Sequence, residues 1–120
     1  MNLELRDKVV LVTGSSRGIG KGIAESFLSE ESRVALNSRN SIASTDLRET
    51  ETVSHHLFDV TNPKECQELV ESVIERWGQL DVLVCNVGSG ESMPPGHETA
   101  EEWQRVFAVN LWSTTNMVEA

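Results

Sequence analysis

The sequence predicts an α/β fold, a doubly wound parallel sheet with helices on both faces. Three observations lead there. Short, nearly continuous apolar runs such as Val9-Val10-Leu11-Val12 read as strands buried on both faces. Between them lie stretches with apolar residues at a 3.6-residue spacing, so strands and helices alternate. A cluster of glycines separates the first run from the first helical stretch. Leu, Ile, Val and Phe make up 32 of the 120 residues, above the roughly 20% below which chains stay disordered. The length suits one domain with a real core.

The elements follow in order. The first strand spans residues 8–14 and ends in glycine. In the helix after it, Ile19, Ile23 and Phe27 recur at i, i+4 and i+8, beside Ala24 and Leu28. Residues 33–37 form the second strand. Residues 40–52 are polar and read as a weak helix or a loop. The third strand spans 53–60. The next helix opens on Asn62-Pro63-Lys64-Glu65, with Asn62 as cap, Pro63 at the first position and Glu65 closing a capping box. Its stripe is Cys66, Leu69, Val70, Val73, Ile74 and Trp77, and Gly78 ends it. Residues 80–87 form a fourth strand. A Pro94-Pro95 loop follows, and then a second capping box, Thr99 to Glu102, starts a last helix.

Net charge is −9, so nucleic acid is excluded as a partner, because a binder needs a basic footprint. The charge is uneven. Residues 1–40 carry six basic and five acidic side chains, and residues 41–120 carry four basic and fourteen acidic ones. The first third is thus the segment least hostile to an anion. No signal-peptide pattern and no apolar run of about 18 residues is present, so neither secretion nor a membrane is expected. Cys66 and Cys85 lack a Cys-x-x-Cys spacing and read as buried free thiols in a reducing cytoplasm. His55, His56 and His97 have no convincing metal spacing, and no metal is expected.

The glycines fall in Thr13-Gly14-Ser15-Ser16-Arg17-Gly18-Ile19-Gly20, between a strand and a helix. That context suits a phosphate-binding turn. The backbone turns tightly, and unpaired amides at a helix N-terminus attract phosphate oxygens. Gly-Lys-Ser/Thr is absent, so this is not a P-loop. The spacing Gly-x-x-x-Gly-x-Gly after Thr resembles the short-chain dehydrogenase/reductase family. Further motifs extend the resemblance over the whole chain: Asp59-Val60, Asn86-Val87-Gly88 in place of Asn-Ala-Gly, and Asn110 with Leu111 and Thr114-Thr115.

The resemblance implies a Rossmann-like domain of which residues 1–120 are the N-terminal part, with strand order 3-2-1-4 present and later strands missing. It implies nicotinamide-dinucleotide binding by Gly14, Ser16, Arg17, Gly18, Ile19, Gly20, Ser38, Arg39, Asp59, Val60, Asn86, Val87, Gly88 and Val109. Asn86 would border the ribose, and Asp59, Val60 and Val109 the adenine. Asn110 would be a catalytic position, supporting a helix distortion whose carbonyl holds a water in a proton relay. An acid at position 38 would hold the ribose 2′-hydroxyl of NAD. Ser38 and Arg39 stand there instead, with Arg17 in the loop, which implies NADP(H) in preference to NAD(H).

Residues 88–97 would lie over the nicotinamide, where small carbonyl or alcohol substrates enter. Family catalysis also needs a Ser and a Tyr-x-x-x-Lys, and the chain contains no tyrosine. Hydride transfer is therefore the expected activity of the family, while this chain alone is expected to be inactive. A non-catalytic dinucleotide-binding or interaction module is the alternative. An apolar fourth strand left at the edge invites pairing with the missing half or a second copy.

Overall fold

The computed structural model describes residues 3–42, 47–88 and 96–120. Its elements are β1 (Val9–Val12), α1 (Gly18–Ser29), β2 (Arg33–Ser38), β3 (Val53–Leu57), α2 (Pro63–Trp77), β4 (Val82–Val84) and α3 (Ala100–Phe107). A π-helical turn (Ala108–Trp112) and α4 (Ser113–Glu119) continue α3. All pairings are parallel, and the strands lie in the expected order β3-β2-β1-β4.

Strand alternation divides the core in two. Val9 and Leu11 of β1 and Ala35 of β2 face Cys66, Leu69 and Val73 of α2 and Met117 of α4. Val10, Val12, Val34 and Leu36 face the other way, onto Ala24 of α1, Ile42 and Val53. Both faces of β1 and β2 are covered, which is why their sequences are apolar without alternation. β4 is at the edge and only half-buried.

The strands are shorter than the apolar runs suggest: β3 ends at Leu57 rather than at 60, and β4 spans three residues. The residues that follow leave the ladder to build the cleft described below. In the segment 40–52, the described residues form no helix, and 43–46 lie outside the description. Of the loop 88–98, residues 89–95 lie outside it too.

Neither capping box closes. Asn62 Oδ1 accepts from the N–H groups of Lys64 (2.9 Å) and Glu65 (3.4 Å). The Glu65 carboxylate, however, accepts from Asp59 N rather than from its own cap. Thr99 Oγ1 accepts from Glu102 N at 3.1 Å, while the Glu102 carboxylate turns to Arg105. In each case a stronger or otherwise unserved donor wins the carboxylate. Cys66 is buried as expected, but Cys85 is only half-buried because it follows the edge strand.

Candidate functional site at the carboxyl edge of the sheet

A cleft of about 620 Å³ opens beyond the carboxyl ends of the strands, where the chain order reverses between β1 and β4. Ligands of open α/β sheets bind at such switch points. From the glycine loop it is lined by Gly14, Ser16 and Arg17, and after β2 by Ser38 and Arg39. Asp59 and Val60 line it after β3, Asn86, Val87 and Gly88 after β4, and Val109 from the π turn. Sequence reasoning singled out all of these.

Two asparagines hold the loop. Asn86 Nδ2 donates to Gly14 O at 3.1 Å, and Asn37 Oδ1 accepts from Gly14 N at 3.3 Å. Gly14 has φ 61° and Gly18 φ 60°, the left-handed region that glycine enters without strain. Gly20 packs directly on the loop, so a Cβ there would lie 2.3 Å from Gly14 O and 2.5 Å from Asn86 Nδ2. Gly18 and Gly20 thus shape the turn without lining the cleft. Ile19, placed in the apolar stripe of α1, is 79% exposed. Gly20 takes the inward side of the first turn, and a neighbour about 100° round the helix is turned outward.

The start of α1 differs from that of α2 and α3. The latter two have a side-chain cap and acids in the first turn. α1 has neither: Arg17 makes no side-chain cap, and no acid follows. Among the described residues no side chain caps its first amides, which suits an external acceptor.

Asn37 was missed by sequence reasoning, which took it for the end of a strand. It is buried, and it donates from Nδ2 to the carbonyls of His56 and Phe58, both at 3.1 Å. Its main-chain N–H donates to Ser15 Oγ at 2.8 Å, and Ser15 Oγ donates to Val12 O at 2.7 Å. An amide at the end of an apolar strand was the available signal. Asn40, Ser41, Phe58, Thr61 and Arg105 also line the cleft and were not singled out.

Asn110 is exposed and does not itself line the cleft, but it borders it. A Cβ on Gly88 would lie 3.1 Å from Asn110 Oδ1. The expected helix distortion is present as the π turn, where Asn110 Nδ2 donates to Val106 O at 3.1 Å and Ser113 Oγ donates to Val109 O at 2.7 Å. Side chains thus serve carbonyls that the widened turn leaves behind.

Among the described residues the lining carries the guanidinium groups of Arg17 and Arg39, that of Arg105, which is paired with Glu102, and the carboxylate of Asp59. That carboxylate accepts from Thr61 N at 2.9 Å and Thr61 Oγ1 at 2.6 Å. In a chain of net charge −9 this is a local positive field. His97 is exposed, His55 is half-buried and His56 is buried against α2, all outside this lining. Among the described residues no three His, Cys, Asp or Glu side chains converge as a metal site. No helix of the described residues is long and apolar enough to cross a membrane.

A family model described as short chain dehydrogenase matches residues 8–120. The chain belongs to the short-chain dehydrogenase family. It is 33% identical over 120 residues to a sorbitol dehydrogenase of Cereibacter sphaeroides, covering 98% of this chain and 47% of that one. Among solved structures, the ligand-free aldohexose dehydrogenase of Thermoplasma acidophilum superposes with a TM-score of 0.85. It has 34% identity, over 97% of this chain and 43% of the other. An NADH-dependent reductase, A1-R′, complexed with NAD, gives a TM-score of 0.85 at 27% identity, over 99% of this chain and 52% of the other. The chain spans about half the length of the curated relatives it matches.

Proposed function

We propose that the cleft binds a nicotinamide dinucleotide, NADP(H) in preference to NAD(H), as the N-terminal part of one dinucleotide-binding domain. The observation that carries the cofactor preference is the lining itself: Ser38, Arg39 and Arg17 meet beside the glycine loop, with no acid at position 38. A hydroxyl and two guanidinium groups suit a 2′-phosphate, whereas an acid would repel it. The uncapped start of α1 and the close packing of Gly20 on Gly14 fit a pyrophosphate brought against the main chain. Asn86, Asp59, Val60 and Val109 then border the ribose and the base.

When bound, the cofactor supplies or accepts a hydride at its nicotinamide, which makes the complete protein an oxidoreductase of carbonyl or alcohol substrates. The residues of this chain bind and orient it. Asn110 supports the π turn, and a main-chain carbonyl of that turn holds a water in the proton path. With no tyrosine in these 120 residues, the chain by itself binds the cofactor and does not turn over.

Titration of the chain with NADPH and NADH at moderate ionic strength tests the cofactor reading. NADPH should bind roughly tenfold more tightly or better. Arg39→Ala should narrow the gap, and Ser38→Asp should reverse it. Equal dissociation constants for the two cofactors would overturn the preference. NADPH-dependent carbonyl reduction by the purified 120-residue chain, with its intact mass verified, would overturn the claim of inactivity.

A further inference from the structure

Among the described residues β3 is an outer strand, paired with β2 alone. Ser54 and His56, two apart on it, share a face, and both are buried. The His56 ring is held from two sides. Ser54 Oγ lies 2.6 Å from Nε2, and Ser72 Oγ of α2 lies 2.7 Å from Nδ1. Ser72 Oγ gives its own hydrogen to Leu69 O at 2.7 Å, so it accepts from Nδ1–H. Nε2 then accepts from Ser54, and the ring is neutral.

Protonation at Nε2 turns that acceptor into a donor facing the hydrogen of Ser54. Around the ring stand Glu49 from the segment before β3, Arg76 from α2 and the neighbouring His55. Burial disfavours the charge most; Glu49 favours it, and Arg76 and His55 oppose it. The charged ring gains by moving toward water, and an outer strand can follow it without disturbing the strands within.

The same strand carries the acceptors that orient the support of the glycine loop. Asn37 Nδ2 donates to His56 O and Phe58 O, both at 3.1 Å, which leaves its Oδ1 aimed at Gly14 N, 3.3 Å away. If β3 shifts, the amide loses both acceptors, and Gly14 N loses a fixed partner.

We propose that protonation of His56 loosens β3 and, through Asn37, the glycine loop, so that dinucleotide affinity falls as the solution turns acidic. The proposal rests on the dinucleotide reading of the cleft. His56 touches no ligand and is a positioning residue. Linkage is reciprocal, so a bound dinucleotide must make His56 harder to protonate.

NAD is the probe, because its pyrophosphate does not titrate between pH 7.5 and 5.5, whereas a phosphate monoester such as the 2′-phosphate of NADP does. Its dissociation constant should rise about fivefold or more over that window, with far-UV spectra verifying the fold at each pH. His55→Gln should keep the rise, and His56→Gln should lose most of it. A second measurement needs no variant: the ring protons of His56, followed by NMR, should titrate at lower pH in the NAD-saturated chain than in the free one. Equal midpoints in the two states would overturn the proposal. So would an affinity that does not change with pH, or parallel slopes in the parent and His56→Gln. If NAD and NADPH bind at no pH, the dinucleotide reading falls, and the proposal with it.

Discussion

The side-chain amide of Asn86 donates to the carbonyl of Gly14 at 3.1 Å, joining the segment after β4 to the turn after β1 across the reversal of strand order. Thr13 reinforces the link, since Asn86 N donates to Thr13 Oγ1 at 3.0 Å. The turn is thereby fixed before any ligand arrives, as preorganised binding requires.

Gly20 sits under that link, and the first prediction concerns it. Gly20→Ala places a Cβ 2.3 Å from Gly14 O, which is main chain and cannot swing aside. The loop must shift, at a cost of about 1–3 kcal/mol in stability, and nucleotide affinity falls with it. Gly22 is the internal control. It lies two residues along the same helix, with nothing within 4 Å of its Cβ position. Gly22→Ala should stabilise the chain by about 0.5–1 kcal/mol, because the helix no longer restrains a glycine. Urea midpoints of the two variants should move in opposite directions, and a fall in both would contradict the assignment.

Asn37 makes the second prediction. Asn37→Ala strips the partner from Gly14 N and leaves the carbonyls of His56 and Phe58 without its amide. Buried groups left unsatisfied cost about 1–3 kcal/mol each, partly relieved by water, so a loss of about 2–4 kcal/mol is expected. Asn37→Asp should be at least as damaging, because it turns a carboxylate oxygen toward two carbonyls. Equilibrium unfolding measures both, and an Asp variant as stable as the parent would exclude this donor arrangement.

The role of Asn37 also shows what the sequence made legible. β1 and β2 were readable because a strand buried on both faces is apolar throughout, and α2 because its stripe, Pro63 and Gly78 are local signals. The glycine loop was readable because its conformation demands glycine at positions 14 and 18. The burial of Asn37 depends on partners at Ser15, His56 and Phe58, which only the tertiary fold brings near. Local periodicity carries no trace of such contacts. Asn110 was conspicuous as an amide in an apolar helix, yet the width of the π turn around it had no signature of its own. Arg105 lines the cleft, yet nothing in the sequence set it apart from other arginines on a helix.

A third prediction concerns pH. His56 lies between two serines, with Nε2 2.6 Å from Ser54 Oγ and Nδ1 2.7 Å from Ser72 Oγ. Ser72 Oγ donates to Leu69 O at 2.7 Å, so Nδ1–H donates to Ser72 and Nε2 accepts from Ser54, in a neutral ring. Burial pushes the pKa of His56 below 6.5; Glu49 opposes the shift, and Arg76 and His55 add to it. The unfolded chain therefore takes up this proton more readily than the folded one. The contribution is fully present above pH 6.5 and is lost as pH falls from there through the folded value. Urea midpoints should decline between pH 7.5 and 5.5, and His56→Gln should decline less steeply over that window. Parallel slopes would remove His56 from the account.

The last prediction separates the two thiols. Cys66 is buried and donates from Sγ to Val60 O at 3.2 Å. Burial, then the charges of Asp59 and Glu65 and the neighbouring Cys85, push its pKa up to about 11. At pH 8 about one molecule in a thousand then carries the thiolate that reacts. Burial raises the Cys85 thiol too, but Cys85 follows the half-buried edge strand, where a reagent reaches it sooner. Iodoacetamide at pH 8 should therefore label Cys85 first in the folded chain and spare Cys66, with both labelled rapidly in urea. Peptide mass mapping reads the order. Labelling of Cys66 at the rate of Cys85 would show that α2 opens from the sheet far more often than its packing against Val9, Leu11 and Ala35 allows.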